Sequence, residues 1–488
     1  MQQFNQLRIK RLIFIITINI SENTPLSIKD IQINSPVAIN SALTFKIGEI
    51  FNAEKFIQSK EDIKHIYENL GYCNAEYYTK AFLDIEKNTV DLIYKITPNK
   101  MCYFKNITID SPENIDSDII KSLLYIKKDA LYSLENINQT YKNLYAHDGI
   151  SQVTIDTKVY NHNEVNASVK IKATTQPIRL ELGIGASSDQ GASASFGIKH
   201  KNFYGDLKTL SLNAKATQIK QNVSLSFNMP LLNNNIFGTE LNIEHENFFG
   251  FKENRVSAKG YLIKRDAFNS FKKALIVDSS KSYASDDLTL FPEKKLLLIS
   301  PEFQWIYNTR DKILNPSKGY FIDTDIQGSL LNKISDATYY KAVVNAGYIL
   351  PFFSNILAFK AKVGSLHIYD GDVPPSYRFF AGGMNSNRAY AYRRLGPKDA
   401  NDNPTGFNSV IETTIEYRFN IYKKINGVVF NDNTFIGQTH LPKTKGYYSY
   451  GFGLRYETPI GPLAIDMGFD HTQPSKQHAI HFHIGELF

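Results

Sequence analysis

Cysteine and tryptophan are scarce in this sequence: 488 residues contain two cysteines, Cys73 and Cys102, and one tryptophan. Two cysteines give no metal-site spacing, and whether they pair in an oxidising compartment stays open, because a sequence does not show proximity. The chain also lacks any run of about 18 apolar residues, so that no transmembrane helix is predicted. Paired catalytic carboxylates, a nucleophile elbow and a phosphate-binding loop are missing, and we therefore expect neither an enzyme nor a bound metal or cofactor.

Two other aromatic residues are abundant, with 29 tyrosines and 32 phenylalanines. Together with a mean hydropathy of −0.29, they fit a membrane β-barrel, whose polar interior offsets its apolar outer face. A soluble β-rich protein has similar totals. The net charge of +7 is spread along the chain, and no basic run with interleaved aromatic residues occurs, which argues against a nucleic-acid partner.

The first 25 residues admit two interpretations. Arg8–Arg11 followed by Leu12–Ile20 has the basic and apolar parts of a signal peptide, but no small-residue cleavage site follows. Alternation of isoleucine with polar residues over Ile16–Ile20 instead predicts a strand. We favour the strand, which would make residues 1–25 the remnant of a preceding module.

Residues 26–99 and 100–176 repeat one order of elements. Each stretch predicts a strand, two helical stretches and two paired strands, as in strand Ser27–Ile33 and the capped helix Ala53–Asn69. The apolar stripe predicted for that helix comprises Phe56, Ile57, Ile63, Ile66 and Tyr67. A repeat of this size predicts two α+β domains, which by themselves need no partner.

From residue 177 to residue 488 the pattern changes to strands of period two. Apolar residues alternate with polar residues or glycine over Ile178–Ile184, and the same alternation recurs to the C-terminus. A soluble sandwich gives the same alternation. Segments of about ten residues, with short turns such as Tyr204–Asp206 and long loops such as Phe268–Glu293, favour a membrane-spanning all-β antiparallel barrel of roughly sixteen strands.

One long loop interrupts the barrel pattern between about Tyr369 and Asn408. Its aromatic residues predict a packed loop, and Gly382-Gly383 permits turns that are closed to other residues. Arg388 follows this pair and needs an acidic partner if it is buried. A solvated surface arginine is the alternative.

The loop sequence Gly382-Gly383-Met384-Asn385-Ser386-Asn387-Arg388-Ala389-Tyr390, with Leu395-Gly396-Pro397 after it, resembles the signature loop of the POTRA-barrel outer-membrane insertases and transporters. This is the superfamily of BamA, TamA and FhaC, and the resemblance is greatest to TamA-type members. Residues Gly451–Tyr456 and Thr458–Asp466 resemble the penultimate strands of that family. The family core Arg-Gly-Tyr has Ala389 in place of glycine here.

The resemblance implies POTRA domains at 26–99 and 100–176 and a transmembrane barrel at 177–488, with the loop folded into the barrel lumen. The motif residues of the loop are then Gly382, Gly383, Ser386, Arg388 and Tyr390.

Side chains alternate between the two faces of a strand, and this alternation, which we call strand parity, selects a partner for Arg388. In Leu463–Phe469 the apolar residues share one face, and with that face toward lipid, Asp466 points into the lumen. The residues with the same inward parity on the preceding strand are Gly451, Gly453 and Arg455. Glycines on that wall leave space for a loop. The resemblance implies that Arg388 and Asp466 pair, and we expect a bidentate contact. A solvated lumenal acid is the alternative.

The first and last predicted strands, Ile178–Ser187 and Ala479–Phe488, meet at a lateral seam. Its predicted residues are Gly183, Gly185, Gly485 and the terminal Phe488. Glycines contribute no side-chain packing, and Glu486 has lipid-facing parity, so that we expect weak pairing where the two strands meet.

The resemblance implies an assembly factor of the Gram-negative outer membrane, with its POTRA domains in the periplasm. These would receive unfolded outer-membrane or autotransporter polypeptides by strand addition, and the barrel would open at the seam to insert or translocate them into the lipid bilayer. An inner-membrane-anchored partner of TamB type is also implied. The alternatives are a two-partner-secretion export pore of FhaC type and, less favoured, a passive porin.

Overall fold

The computed structural model describes residues 24–160, 163–232, 234–266, 268–313, 315–329, 334–442, 446–458 and 463–484. The predictions for the first 23 residues, and those for Gly485, Glu486 and Phe488, fall outside these ranges.

The described residues up to position 173 form two sets of α+β elements. The first comprises β1 (Ser27–Asn34), a 3-10 turn (Asn40–Ala42), α1 (Ala53–Asn69), β2 (Glu76–Asp84) and β3 (Thr89–Thr97). The second comprises β4 (Tyr103–Asp110), α2 (Ser117–Ser122), α3 (Leu134–Tyr145), β5 (Ile150–Tyr160) and β6 (Glu164–Ala173). The two sheets have the strand orders β1-β3-β2 and β4-β6-β5. None of the described helices is long and apolar enough to cross a membrane.

Helix α1 begins at a side-chain cap and packs one face into the first module. The Asn52 side-chain oxygen accepts a hydrogen bond from the Lys55 amide at 3.0 Å, which satisfies a free donor of the first turn. The buried face consists of Phe56, Ser59, Ile63 and Tyr67. The prediction of Ile57 in this stripe is wrong, because its side chain is 60% exposed; the helical period places position 57 about 100° away from position 56.

Cys73 and Cys102 form a disulfide, with their Cα atoms 5.8 Å apart. The bond links the segment after α1 to the residue just before β4. It therefore joins the first module to the start of the second, a pairing that the sequence had left open.

The rest of the described chain is a sixteen-stranded antiparallel sheet in which each strand neighbours the next one in sequence. Its strands are β7 (Ile178–Ser187), β8 (Gly191–His200), β9 (Thr209–Thr217), β10 (Lys220–Leu231), β11 (Asn235–Phe248), β12 (Phe251–Arg265), β13 (Asn269–Tyr283), β14 (Lys295–Asn308), β15 (Gly319–Ser329), β16 (Ala337–Phe352), β17 (Asn355–Gly371), β18 (Ser409–Tyr422), β19 (Ile425–Gly437), β20 (Gly446–Tyr456), β21 (Leu463–Asp470) and β22 (His478–Ile484). The predicted fold class, α+β modules followed by a barrel of about sixteen strands, is confirmed.

The predicted long loop Phe268–Glu293 is wrong. Most of it is β13, which pairs with β12 and β14 along its length. The segment is rich in serine, lysine and aspartate, which indicate a loop in a soluble protein. In a barrel the same polar residues line the lumen, as the buried Asp278 and Ser280 do here.

Burial along the strands is inverted relative to a soluble protein. On β20 the large residues Tyr450, Phe452 and Leu454 are each about half exposed, whereas Ser449 and Arg455 are buried. Apolar residues therefore cover the outer surface and polar residues fill the interior. This arrangement suits a barrel surrounded by lipid and excludes the soluble sandwich, whose core is apolar.

Strands β7 and β22 are the two ends of the sheet. Every other strand pairs with both neighbours, whereas no ladder joins β7 to β22 among the described residues. A main-chain hydrogen bond does connect the two ends: the Ser188 amide, just after β7, donates to the Phe482 carbonyl at 3.3 Å. We call this junction the seam.

Candidate functional site

The segment 372–408 between β17 and β18, which we call the lumenal loop, is folded back and packed. Isolated bridges pair Phe379 with Phe407 and Ala381 with Leu395, so that the loop closes on itself. Gly382 and Gly383 have φ values of +98° and +108°, which L-residues rarely adopt. Ala389 keeps a negative φ, and the alanine that replaces the family's glycine is therefore accommodated without backbone strain.

Arg388 is completely buried at the centre of the loop's contact with the barrel wall. Its Nε and one terminal nitrogen donate to the two carboxylate oxygens of Asp432 at 2.9 and 3.0 Å. Its other terminal nitrogen donates to Glu416 at 2.9 Å and to Asp466 at 3.2 Å. The guanidinium carbon also lies 3.3 Å from the centre of the Phe430 ring, a cation–π contact.

The expected bidentate pair between Arg388 and Asp466 is therefore wrong in its detail. The structure brings these residues together, but Asp432 makes the bidentate contact and also accepts from the Arg388 amide at 3.1 Å. Asp466 instead receives two hydrogen bonds from Arg455, at 2.5 and 3.0 Å. Parity had placed Arg455 on the right face without revealing this role.

A third arginine, Arg418, completes a balanced network. Glu416 accepts from Arg418 at 2.7 Å as well as from Arg388. The network then holds three arginines and three carboxylates, all of them buried. Such a network depends on every partner, because removal of one member leaves an opposite charge buried without compensation.

An exchange of charges between positions 388 and 466 tests this arrangement. For an isolated pair, Arg388→Asp combined with Asp466→Arg would recover the stability lost in the single variants. Here we expect no recovery, because an aspartate at 388 would face Glu416 and Asp432, and an arginine at 466 would face Arg455. The measurement is the fraction of barrel that stays folded in unheated detergent. Recovery in the double variant would identify Asp466 as the main partner.

Glycines on the barrel wall make room for this network, although not all as expected. A Cβ at Gly451 would collide with the Phe430 ring, and one at Gly453 with the Asp466 carboxylate. The loop itself lies against Gly468, where a Cβ would meet the Arg388 carbonyl. The two predicted glycines therefore accommodate the partners of Arg388, and Gly468 accommodates the loop.

The other loop motif residues also bind the loop or the wall. Ser386 Oγ accepts from the Gly382 amide at 2.9 Å and contacts the Glu412 carboxylate. The Tyr390 hydroxyl donates to Asp470 at 2.7 Å.

A second attachment holds the start of the loop at a different part of the wall. The amide and hydroxyl of Ser376 donate to Glu253 on β12 at 3.1 and 2.8 Å. The Tyr377 hydroxyl donates to Asp278 on β13 at 3.0 Å. Strands β14–β17 separate this wall from the strands that bind Arg388. The loop therefore crosses the lumen between two attachments, and no pattern in the sequence predicts the one at Ser376 and Tyr377.

Comparison with known proteins places this geometry in a family. The Omp85 superfamily domain matches residues 174–488, which is more than half of the chain. The chain belongs to the Omp85 superfamily. The surface antigen variable number repeat, the POTRA family, matches residues 26–99. The protein is therefore an outer-membrane barrel with POTRA modules in the periplasm, as the sequence predicted.

Similar proteins share this architecture at low sequence identity. The outer membrane protein assembly factor BamA of Nitratidesulfovibrio vulgaris is 22% identical over 445 residues, which cover 86% of this chain and 56% of BamA. This chain thus spans little more than half of that relative.

Two solved structures have the same fold. BamA from Haemophilus ducreyi lacking POTRA domains 1-3 has a TM-score of 0.67 at 20% identity, and the match covers 94% of this chain and 99% of that one. CdiB from Acinetobacter baumannii has a TM-score of 0.54 at 14% identity, covering 96% and 91%. The greater resemblance to TamA-type members stays a prediction.

Proposed function

We propose that this Omp85 member is an outer-membrane protein assembly factor whose barrel accepts client strands at the seam. The observation that carries the proposal is the absence of a β7–β22 ladder among the described residues, while every other neighbouring pair is laddered. Unpaired main-chain groups are costly in lipid, and a client strand that pairs with them removes that cost. Burial of the client strands in the membrane then drives insertion without nucleotide hydrolysis.

The first POTRA module offers a place where unfolded clients can bind. Strand β2 is an edge of its sheet, and Tyr78 and Phe82 on it are about half exposed. An exposed edge with apolar side chains binds extended polypeptides by strand addition. Outer-membrane and autotransporter polypeptides are the clients that we propose, and a TamB-like protein anchored in the inner membrane is the partner.

The two alternative functions, an export pore and a passive porin, both require an open path through the lumen. The CdiB likeness favours the export pore as the second candidate. In this structure, however, the lumenal loop crosses the lumen. Its residue Ser376 binds one part of the barrel wall, and its residue Arg388 binds another. A polypeptide or a solute would therefore have to pass through a lumen that this loop crosses.

Reconstitution in lipid vesicles separates the three functions. An assembly factor should speed the folding of an unfolded outer-membrane barrel into the vesicle membrane. An export pore should deliver one dedicated client to the other side, and a porin should give a steady conductance to small solutes. Steady conductance or translocation without membrane insertion would contradict the proposal.

Removal of the first module tests client delivery. Deletion of residues 26–99, with Cys102→Ser to avoid a free thiol, should leave a folded barrel, because the module has its own buried core around Ile63 and Tyr94. Client insertion should fall about tenfold or become restricted to fewer clients. The measurement is insertion of several clients into vesicles, with Cys73→Ser and Cys102→Ser in the full chain as the control. Unchanged handling of all clients would make the module a passive spacer.

A further inference from the structure

His481 occupies a place in the seam that the lumenal network does not explain. It lies on β22 with its side chain turned into the lumen and 2% exposed. Its Nδ1 is 3.2 Å from Asp189 Oδ1 and 3.2 Å from Ser188 Oγ, both in the hairpin that follows β7. Its Nε2 is 3.2 Å from the carbonyl oxygen of Arg388. One imidazole on the last strand thus contacts both the first hairpin and the lumenal loop.

The hydrogen-bonding groups around the ring determine which of its nitrogens carries a proton. A carbonyl oxygen only accepts, so that Nε2 carries a proton and donates to Arg388. Nδ1 then either donates to the Asp189 carboxylate or accepts from the Ser188 hydroxyl. Either bond ties β22 to the hairpin of β7, across the junction that lacks a ladder among the described residues.

Asp189 also holds the loop directly. Its second oxygen accepts from the Met384 amide at 3.0 Å, and its side chain is buried. A Cβ at Gly383 would lie 2.7 Å from that oxygen, so that the glycine allows the loop to approach the carboxylate. His481 Nδ1 therefore lies 3.2 Å from Asp189 Oδ1, and each of the two residues also contacts the loop.

We propose that His481 and Asp189 form a clasp that keeps the seam closed only while the lumenal loop is in place. Release of the loop removes the bond that His481 Nε2 donates to the Arg388 carbonyl and the bond that the Met384 amide donates to Asp189, and it leaves the clasp weaker. Opening of the seam in turn separates the two residues and loosens the loop. This inference rests on the proposed function, because it assigns the control of the seam through which clients would enter.

The strand provides a matched control. His483 lies two residues further along β22 on the same lumenal face and is 5% exposed. Its ring nitrogens have no hydrogen-bond partner within the described part of the chain. His483→Ala therefore removes an imidazole of equal size from the seam without removing the clasp.

Amide hydrogen exchange of the full chain in lipid nanodiscs tests the clasp without any client. The variants are His481→Ala, the isosteric Asp189→Asn and His483→Ala, and His481→Gln is added in case alanine impairs folding. Loss of a hydrogen bond to a charged group changes an opening equilibrium by about tenfold. We expect about tenfold faster exchange in β7 and β22 and also in loop residues 382–392 for the clasp variants, with less than a twofold change for His483→Ala.

The decisive result is whether exchange in the seam and exchange in the loop change together. Faster exchange in the seam alone, in the loop alone, or in neither would overturn the clasp, as would an equal effect of His483→Ala. Exchange in β10 reports global loosening and should stay constant. Because no client is present, this outcome is independent of the vesicle assay, and failure of the assembly proposal would appear only there.

Discussion

Replacement of Arg388 by alanine is expected to abolish most client insertion while the barrel still folds. The variant leaves Asp432 without its bidentate partner and Glu416 and Asp466 with one arginine each, Arg418 and Arg455. Breaking a buried ion pair costs about 3–5 kcal/mol, which weakens the attachment of the loop to the wall formed by β18, β19 and β21. We expect insertion into vesicles to fall by at least tenfold.

The loop contains its own control for this experiment. Arg394 lies six residues further on and pairs with Asp402, whose side chain is 65% exposed. Exposed pairs contribute about 0–1 kcal/mol, so that Arg394→Ala should leave insertion within twofold of the native protein. Native activity in Arg388→Ala would remove the buried network from the mechanism.

Strand parity predicted which residues face the lumen but not which of them meet. The alternation of apolar and polar residues is a property of each strand, and it correctly turned Asp466 and Arg455 inward. Glu416 and Asp432 have the same inward parity on β18 and β19, and period two gave the signal for both. Choosing among several lumenal acids requires the path of the loop across the barrel, which no local pattern contains.

The same limit explains the other differences between sequence and structure. A polar run such as β13 indicates a loop when the protein is assumed to be soluble and a strand when the lumen is polar. The attachment of Ser376 and Tyr377 to β12 and β13 lies more than 90 residues away in sequence. Periodicity carries no information over that separation, whereas the repeated modules and barrel strands follow from local patterns alone.

The largest effect is expected from covalent closure of the seam. Ser188 and Phe482 are joined by a main-chain hydrogen bond, so that cysteine pairs placed between residues 184–188 and 480–484 should include positions close enough to form disulfides. In a chain with Cys73→Ser and Cys102→Ser these pairs are the only thiols. A disulfide there prevents β7 and β22 from separating, and no client strand can then pair with either edge.

A disulfide elsewhere in the barrel controls for the chemistry. Ser226 on β10 and Glu240 on β11 are direct partners in a continuous ladder. A cysteine pair at these positions links two strands that stay together when the seam opens. It should leave client insertion unchanged in both the oxidised and the reduced protein.

Seam opening is tested by client insertion with one seam-bridged protein, measured before and after reduction of its disulfide. If the seam must open, insertion is at least tenfold lower in the oxidised protein and recovers to the level of the control when the disulfide is reduced. Equal insertion in the oxidised and reduced states would contradict seam opening and would favour passage through the lumen instead.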